Sequence, residues 1–225
     1  MDFLKLIRSF GDLLFEVLSW IIYYPRTLWL VLTHPLKMID YSNHEQRDDE
    51  TEQYTDTLAP PLLLFLTIML LHVLAIGLGR SEHVHAANET VRNLINSDQN
   101  LVLLRSFLFG LLPLFAALKY VRKRKLPLDR KFLRPPFFGQ CYLAAVYALM
   151  ISLSNGLARG HFPGAIWLGI AAFLAGTGWY WGVQAAQFRR ALDVSWLRAI
   201  SYAVWVYLEA MFYLLIVAVL LAGVI

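Results

Sequence analysis

The chain has 225 residues, of which 58% are apolar and 16% charged, and its mean hydropathy is +0.53. Soluble domains contain about 45–50% apolar and about 25% charged residues, so this composition indicates an integral membrane protein. The single cysteine, Cys141, excludes a disulfide-stapled secreted domain. The pI of 9.2 does not indicate a nucleic-acid-binding protein, because the positive charges cluster beside apolar segments rather than on a soluble domain.

Residues 1–39 are predicted to form amphipathic helices that lie in the membrane interface. Over residues 2–24 the apolar side chains fall on one helical face: Phe3, Leu6, Ile7, Phe10, Leu13, Leu14, Val17, Leu18 and Ile21. Pro25 is expected to end or kink this helix, and a second short helix follows. The alternative is a sixth span over residues 13–32, which would place Arg26 in the bilayer. The interfacial arrangement is favoured, because a central Arg costs about 2.5–3.5 kcal/mol on insertion scales.

Residues 40–59 differ sharply in composition and are predicted to form an acidic cytoplasmic linker. Arg47 is the only Lys or Arg residue among seven acids: Asp40, Glu45, Asp48, Asp49, Glu50, Glu52 and Asp56. Runs of like charge usually remain solvated and mobile. The alternative is an acidic docking strip for a basic partner, or for the chain's own basic residues 122–125.

Five segments are long and apolar enough to cross a bilayer, which takes about 20 residues. They cover residues 60–79, 101–119, 138–158, 164–187 and 199–225. Small residues recur at helical spacing in the fourth segment: Ala165, Gly169, Ala172, Gly176, Gly178, Gly182 and Ala186. Such spacing lets helix backbones approach closely inside a bundle. The sequence therefore predicts an all-α polytopic membrane protein with a five-helix transmembrane domain over residues 60–225.

Lys and Arg residues are distributed unequally between the connections, and this distribution predicts the orientation. One side carries sixteen of them, in residues 1–59, 119–134 and 188–198. The other side carries three, in residues 80–99 and 159–163. Because positive residues favour the cytoplasmic side, the N-terminus is predicted to be cytoplasmic and the C-terminus to lie on the far side.

The densest group of these residues forms a predicted membrane-surface basic loop: Arg122, Lys123, Arg124, Lys125, Arg130 and Lys131. Retention of positive charge in the cytoplasm alone explains the loop. The same charges would also attract anionic lipid headgroups, each contributing about 1 kcal/mol near the surface. Both effects can act together, and neither requires a specific ligand.

Three polar residues within the predicted spans form a candidate intramembrane cluster. Glu209 lies about 15 Å, His72 about 18 Å and Arg105 about 21 Å from the cytoplasmic side, at 1.5 Å per residue. Because charges in a bilayer usually face the bundle interior and pair, Glu209 and Arg105 are expected to pair beside His72. The pair either fixes helix register or forms a proton or ion relay with Glu209 as carrier. Three glutamines lie near cytoplasmic span ends, where water can satisfy them: Gln140, Gln184 and Gln187.

Catalytic motifs are not found in the sequence, which has no phosphate-binding glycine loop, no metal-binding cysteine pair and no nucleophile elbow. His83 and His85, with His161 on the same side, fall short of the three or four ligands that zinc sites require. The sequence therefore predicts a non-enzymatic protein with no metal and no cofactor.

Two short segments resemble motifs of the Yip family, five-span membrane proteins that interact with Rab-type GTPases. Residues 56–60 (Asp-Thr-Leu-Ala-Pro) resemble the Asp-Leu-x-Gly-Pro stretch that enters the family's first span, with one inserted residue and Ala59 replacing the glycine. Residues 138–140 (Phe-Gly-Gln), followed by Tyr147, resemble the start of the third span. The resemblance implies a cytoplasmic N-terminal region and a scaffold or adaptor role, which in eukaryotic relatives serves vesicle traffic.

The sequence therefore favours a membrane scaffold resembling the Yip family, in contact with the lipid bilayer and with a protein partner on the cytoplasmic side. The alternative is a small transporter or permease subunit that works through Glu209, His72 and Arg105. The expected location is the bacterial cytoplasmic membrane, or alternatively a eukaryotic endomembrane. An oligomer is compatible with the sequence, and nucleic acid is not expected as a partner.

Overall fold

The computed structural model describes residues 3–49, 52–78 and 98–222, and within these ranges all regular secondary structure is helical. The helices are α1 Phe3–Thr33, α2 Pro35–Glu45, α3 Pro60–Gly77, α4 Asp98–Lys123, α5 Arg130–Ala158, α6 Ala165–Leu192 and α7 Trp196–Ala222. Five of them, α3 to α7, are long and apolar enough to cross a membrane. The predicted all-α membrane fold with five spans is thus confirmed, and the chain is a multi-pass integral membrane protein.

Four of the spanning helices extend beyond their predicted spans at the same end of the bundle. Their ends there are Lys123, Arg130, Leu192 and Trp196. Hydropathy marks the part of a helix that suits hydrocarbon, whereas the helix itself ends where its backbone is capped. Asp129 caps the start of α5 by accepting a hydrogen bond from the Phe132 amide at 2.9 Å. Asp193 ends α6 in the left-handed conformation, with φ of 48°.

Helix α5 lies at the centre of the bundle, where it packs against α1, α2, α3, α4 and α6. Helix α7 completes the bundle through its contacts with α4 and α6. We call the end that carries Arg124 and Arg190 the basic end; it is the end predicted to be cytoplasmic. Helix α2 lies across it, with Ile39 against Gly139, where a Cβ atom would be 3.1 Å from the Ile39 Cγ2 atom. The missing side chain of Gly139 therefore allows α2 to approach α5 closely.

Helix α1 is continuous through Pro25, so the proline does not end the helix. Thr27 and Val31 are fully buried, and this packing offsets the cost of the backbone hydrogen bond that proline removes, about 3 kcal/mol. The chain breaks instead before Pro35, which occupies the first turn of α2. Towards the N-terminus the environment changes, and residues 9–18 are exposed on every side.

The segment predicted to be a solvated acidic linker is folded over most of its described length. Leu58 is 3% exposed; its amide donates to the Thr27 hydroxyl at 3.1 Å and its carbonyl accepts from the Tyr142 hydroxyl at 2.8 Å. Thr57 is buried as well, whereas Asp56 remains exposed. The linker prediction depends on the acidic residues, whereas the uncharged residues between them supply the buried contacts.

Candidate functional site

A buried cluster of three glutamines joins α5 to α6 near the basic end. Gln140, Gln184 and Gln187 are each less than a tenth exposed. Gln140 and Gln184 exchange side-chain hydrogen bonds in both directions, and the Gln140 amide also donates to Gln187. Gln184 further donates to the Tyr180 hydroxyl at 3.0 Å. Because buried amides are costly without partners, these bonds favour one register between α5 and α6.

A cluster of aromatic residues lies next to the glutamine cluster, deeper in the bundle, and we call the two clusters together the polar layer. The Tyr147 hydroxyl of α5 donates to the Tyr207 hydroxyl of α7 at 3.0 Å and lies 3.2 Å from the Thr177 hydroxyl of α6. Its ring stacks on Tyr180 with 4.6 Å between centroids. Trp181 meets the Tyr207 ring edge-on at 5.5 Å. The hydroxyls and rings together tie α5, α6 and α7 into one layer.

Ranking residues by formal charge does not reveal this layer, because its members are uncharged amides and hydroxyls. The prediction that water satisfies the glutamines is wrong, since the helices extend past the predicted spans and α2 covers their end. A signal was present: Gln140, Tyr147 and Ser154 recur every seven residues on α5 and are all buried. This heptad repeat marks one helical face, and a polar repeat within an apolar span indicates a polar interior.

Two of the three residues in the predicted intramembrane cluster lie together. The Nη1 atom of Arg105 on α4 is 3.3 Å from the Nδ1 atom of His72 on α3, and His72 is only 7% exposed. A neutral imidazole nitrogen can accept a hydrogen bond from a guanidinium group. The contact lies away from the basic end, seven residues or about 10 Å from the start of α4.

Glu209 lies apart from Arg105. Helices α4 and α7 run antiparallel, and Glu209 is close enough to Lys119 for their opposite charges to attract. Lys119 is fourteen residues from Arg105, about 21 Å along α4. Arg105 and Glu209, which residue counting places at similar depths, therefore lie at different depths in the membrane.

The helix register explains this separation. The Phe115 ring stacks on Tyr213 at 4.8 Å, and the Lys123 ammonium lies 4.6 Å from the centre of the Tyr202 ring. The depth counts assumed that residues 119 and 199 lie at one level. Because α4 continues past residue 119, residue 123 is level with residue 202 instead. Relative to α4, Glu209 therefore lies closer to the basic end than the depth counts predict.

All six residues of the predicted basic loop are exposed. Arg124 folds back onto the end of α6, where its Nε and Nη2 atoms donate to the Ala191 carbonyl at 3.1 and 2.7 Å. Its guanidinium also lies 5.3 Å from the Tyr120 ring centre, and that of Arg189 lies 4.7 Å from the Trp196 ring centre. Cations beside aromatic rings are typical of the headgroup level of a membrane.

Helix α2 and residues 52–59 form a strap across the basic end. Asp40 pairs with Arg190 at 2.7 Å, and Asp56 pairs with Arg26 at 3.9 Å. The Tyr41 hydroxyl donates to Asp56 at 2.8 Å, and burial raises the pKa of Tyr41, to which the Asp56 carboxylate adds. The ion pairs are largely exposed, and exposed pairs contribute only about 0–1 kcal/mol each. The buried contacts of the strap are therefore its main anchor.

Metal chemistry has no visible support in the described ranges, where no group of three or more His, Cys, Asp or Glu residues could hold an ion. His83 and His85 lie outside those ranges.

No family model, curated protein or solved structure matches the chain. The candidate sites are therefore the polar layer, the His72–Arg105 contact and the basic end.

Proposed function

We propose that this integral membrane protein is a non-enzymatic scaffold resembling the Yip family, which binds a protein partner on the cytoplasmic side through α1. The observation that carries the proposal is the exposed segment 9–18 of α1, which bears large apolar side chains: Phe10, Leu13, Leu14, Phe15, Val17 and Leu18. Phe15 is 74% exposed. Contiguous apolar surface of this kind marks contact with a membrane or a protein.

The character of the bundle interior also supports a scaffold. Most polar side chains of the polar layer bond to one another, as Gln140 does to Gln184 and Tyr147 to Tyr207, whereas the buried Trp181 Nε1 atom has no hydrogen-bond partner among the described residues. Satisfied networks of this kind rigidify a core, whereas a transport path needs groups that exchange partners with a substrate. The membrane proposed for this scaffold is the bacterial cytoplasmic membrane, with a eukaryotic endomembrane as the alternative.

The proposal is tested by placing a photo-reactive amino acid at Phe15 of the full chain in its native membrane. A discrete protein adduct is expected at Phe15, and it should be lost when Phe10 and Leu14 are changed to Asp. Leu128, an exposed apolar residue in the basic loop region, is the control position for the photo-reactive amino acid and should not give the same adduct. The Glu209→Gln variant should leave the adduct at Phe15 intact. Adducts with lipid alone at Phe15 would contradict partner binding through α1.

A small transporter or permease subunit is the second candidate, favoured by the close contact of Arg105 with buried His72. Ionisable groups within a membrane often mark an ion or proton path. This hypothesis expects pH-dependent flux in reconstituted vesicles that falls sharply in both His72→Gln and Glu209→Gln. Flux that is equal in empty and protein-containing vesicles would reject it.

A further inference from the structure

A small polar cavity opens at the basic end between α2, α4, α5 and α6. Its volume is 190 Å³, and its polar lining comes from Asp40 and Asn43 of α2, Arg124 directly after α4, and Gln187 and Arg190 of α6. Asp40 pairs with Arg190, and Arg124 donates to the Ala191 carbonyl, yet these side chains also line one space. The cavity lies directly above the glutamine cluster, because Gln187 belongs to both.

The charge of the cavity favours an anion. Arg124 and Arg190 contribute two positive charges, and Asp40 contributes one negative charge while it pairs with Arg190 at 2.7 Å. The Oε1 atom of Gln187 is committed to the Gln140 amide, so Gln187 has its NH₂ group left to offer a ligand. Guanidinium and amide N–H groups are donors, and the excess of donors and positive charge suits a phosphate group.

Size and position narrow the ligand further. Pockets for whole small molecules usually measure about 300–1,000 Å³, so 190 Å³ fits one compact group rather than a large metabolite. The cavity is flanked by the cation–aromatic contacts of Arg124 with Tyr120 and of Arg189 with Trp196. These contacts are typical of the headgroup level, where phospholipid phosphates are the most abundant anions.

We propose that this cavity binds a phosphate group of net negative charge, supplied by an anionic phospholipid headgroup or by free phosphate. Arg190 and Arg124 contact the phosphate oxygens, and Gln187 donates from the inner side. Asp40 holds Arg190 when the cavity is empty and competes with the ligand for that guanidinium. The site shares Arg124 with the basic loop, but its other polar residues belong to α2 and α6. Its test involves no protein partner and so is independent of the proposed scaffold function.

The experiment titrates the detergent-solubilised full chain with short-chain phosphatidylglycerol, and in parallel with short-chain phosphatidylcholine and inorganic phosphate. Arg190→Gln and Arg124→Gln should each weaken phosphatidylglycerol binding roughly tenfold or more, the usual effect of losing a charge-assisted hydrogen bond. Arg189→Gln and Arg122→Gln, which neighbour the cavity without lining it, should change binding by no more than about twofold. Arg190→Lys keeps the charge and should retain part of the affinity.

The Asp40→Asn variant distinguishes a ligand site from an ion pair that only stabilises the fold. Removing the competing carboxylate should tighten phosphatidylglycerol binding about threefold or more, although it also removes an ion pair. Thermal unfolding of each variant shows whether it is folded. Weaker binding in a folded Asp40→Asn variant, or equal losses in Arg189→Gln and Arg190→Gln, would overturn the site.

The two phosphate sources are separated by competition. Displacement of phosphatidylglycerol by inorganic phosphate, with the same dependence on Arg190, assigns the site to free phosphate. Binding of phosphatidylglycerol that inorganic phosphate does not displace assigns it to the lipid headgroup. Phosphatidylcholine, whose headgroup has no net charge, should bind more weakly in either case, and equal binding of both lipids would contradict recognition of an anion.

Discussion

The two faces of α6 carry similar small residues in opposite surroundings. Gly169 faces α5, where an added Cβ atom would lie 2.4 Å from the Ala158 Cβ atom and 2.7 Å from its backbone. Gly178 and Gly182 face outwards, and a Cβ atom there would meet nothing within 4 Å. The inner face also carries the buried glutamines and Tyr180, whereas the outer face carries exposed apolar residues such as Leu174.

Helical spacing therefore identifies small residues on a helix but does not identify the neighbouring helix, or the lipid, that they contact. The sequence places Gly169, Gly176, Gly178 and Gly182 in one packing stripe, yet the helix turns so that only the first two face a neighbour. The polar partners on the inner face decide the rotation of α6, because an outward rotation would expose amides to hydrocarbon. The five variants below test this difference between the faces, and all are measured as the free energy of unfolding in detergent.

The largest effect is expected for Gln184→Leu on the inner face. Leucine removes the donor to Tyr180 and both hydrogen bonds exchanged with Gln140, which leaves buried polar groups without partners. The expected loss is about 2–4 kcal/mol, since each stranded group costs about 1–3 kcal/mol. Detergent-induced unfolding followed by tryptophan fluorescence gives the free energy. Leu174→Ala, at a residue 62% exposed on the outer face, is the control and should change it by less than about 0.5 kcal/mol.

A second substitution, at the partner residue Gln140 on α5, separates this explanation from simple loss of shape. The double variant Gln140→Leu with Gln184→Leu should be less destabilised than the two single variants taken together. Replacing both partners by apolar groups removes the amide that each single change strands across the pair, although Gln187 and Tyr180 still lose a partner. Strict additivity of the two changes would contradict a hydrogen-bonded pair.

Gly169→Ala is expected to destabilise by about 1–3 kcal/mol, the usual cost of overpacking a well-packed core. The added methyl group would collide with the backbone of Ala158, so α5 and α6 would have to separate. Unfolding midpoints measured beside those of Gly178→Ala give the contrast directly. Similar results for the two glycines would show that the faces do not differ in packing.

Tyr147→Phe should have a smaller effect, about 0.5–1.5 kcal/mol of destabilisation. It removes the hydrogen bonds to Tyr207 and Thr177 but keeps the ring that stacks on Tyr180. The free energy of unfolding measures the polar part of the aromatic cluster alone. A loss as large as that of Tyr147→Ala would indicate that the hydroxyl, and not the ring, holds the cluster together.

The smallest effect, with the opposite sign, is expected for Gly178→Ala. The outer face has space for the methyl group, and alanine restricts the unfolded backbone more than glycine does. A gain of about 0.5–1 kcal/mol in the free energy of unfolding should follow. Destabilisation instead would indicate that another helix covers this face, and a loss of oligomer in size-exclusion chromatography would identify that helix as a second copy.

Much of the fold could be predicted because hydropathy is a local property of the sequence. Every apolar block found in the chain corresponds to one long helix, α3 to α7. The ends could not be found this way, because Arg130 and Lys123 are helical but lie outside the hydrocarbon-compatible part. The buried strap was missed for a related reason: Leu58 is one apolar residue in an acidic segment, and its burial depends on Tyr142, 84 residues away.

The candidate site was predictable only in part. His72 and Arg105 were found because charged and titratable residues stand out within apolar spans. Their separation from Glu209 was not found, because residue counts give depth along one helix but not the register between two helices. The cavity residues Asp40 and Arg190 come from distant segments, and only the closure of α2 over α6 brings them together.

The hydrogen bonds from Arg124 to the Ala191 carbonyl have a consequence for how the chain enters the membrane. They join the end of α4 to the end of α6, and 67 residues separate the two groups. The bonds can form only after α5 has crossed the bilayer and α6 has returned, since both loops must then lie on the same side. An α5 left on one side would hold the two loops about 30 Å apart, across the hydrocarbon. The hydrogen bonds of Arg124 to Ala191 therefore form only once both α5 and α6 span the membrane.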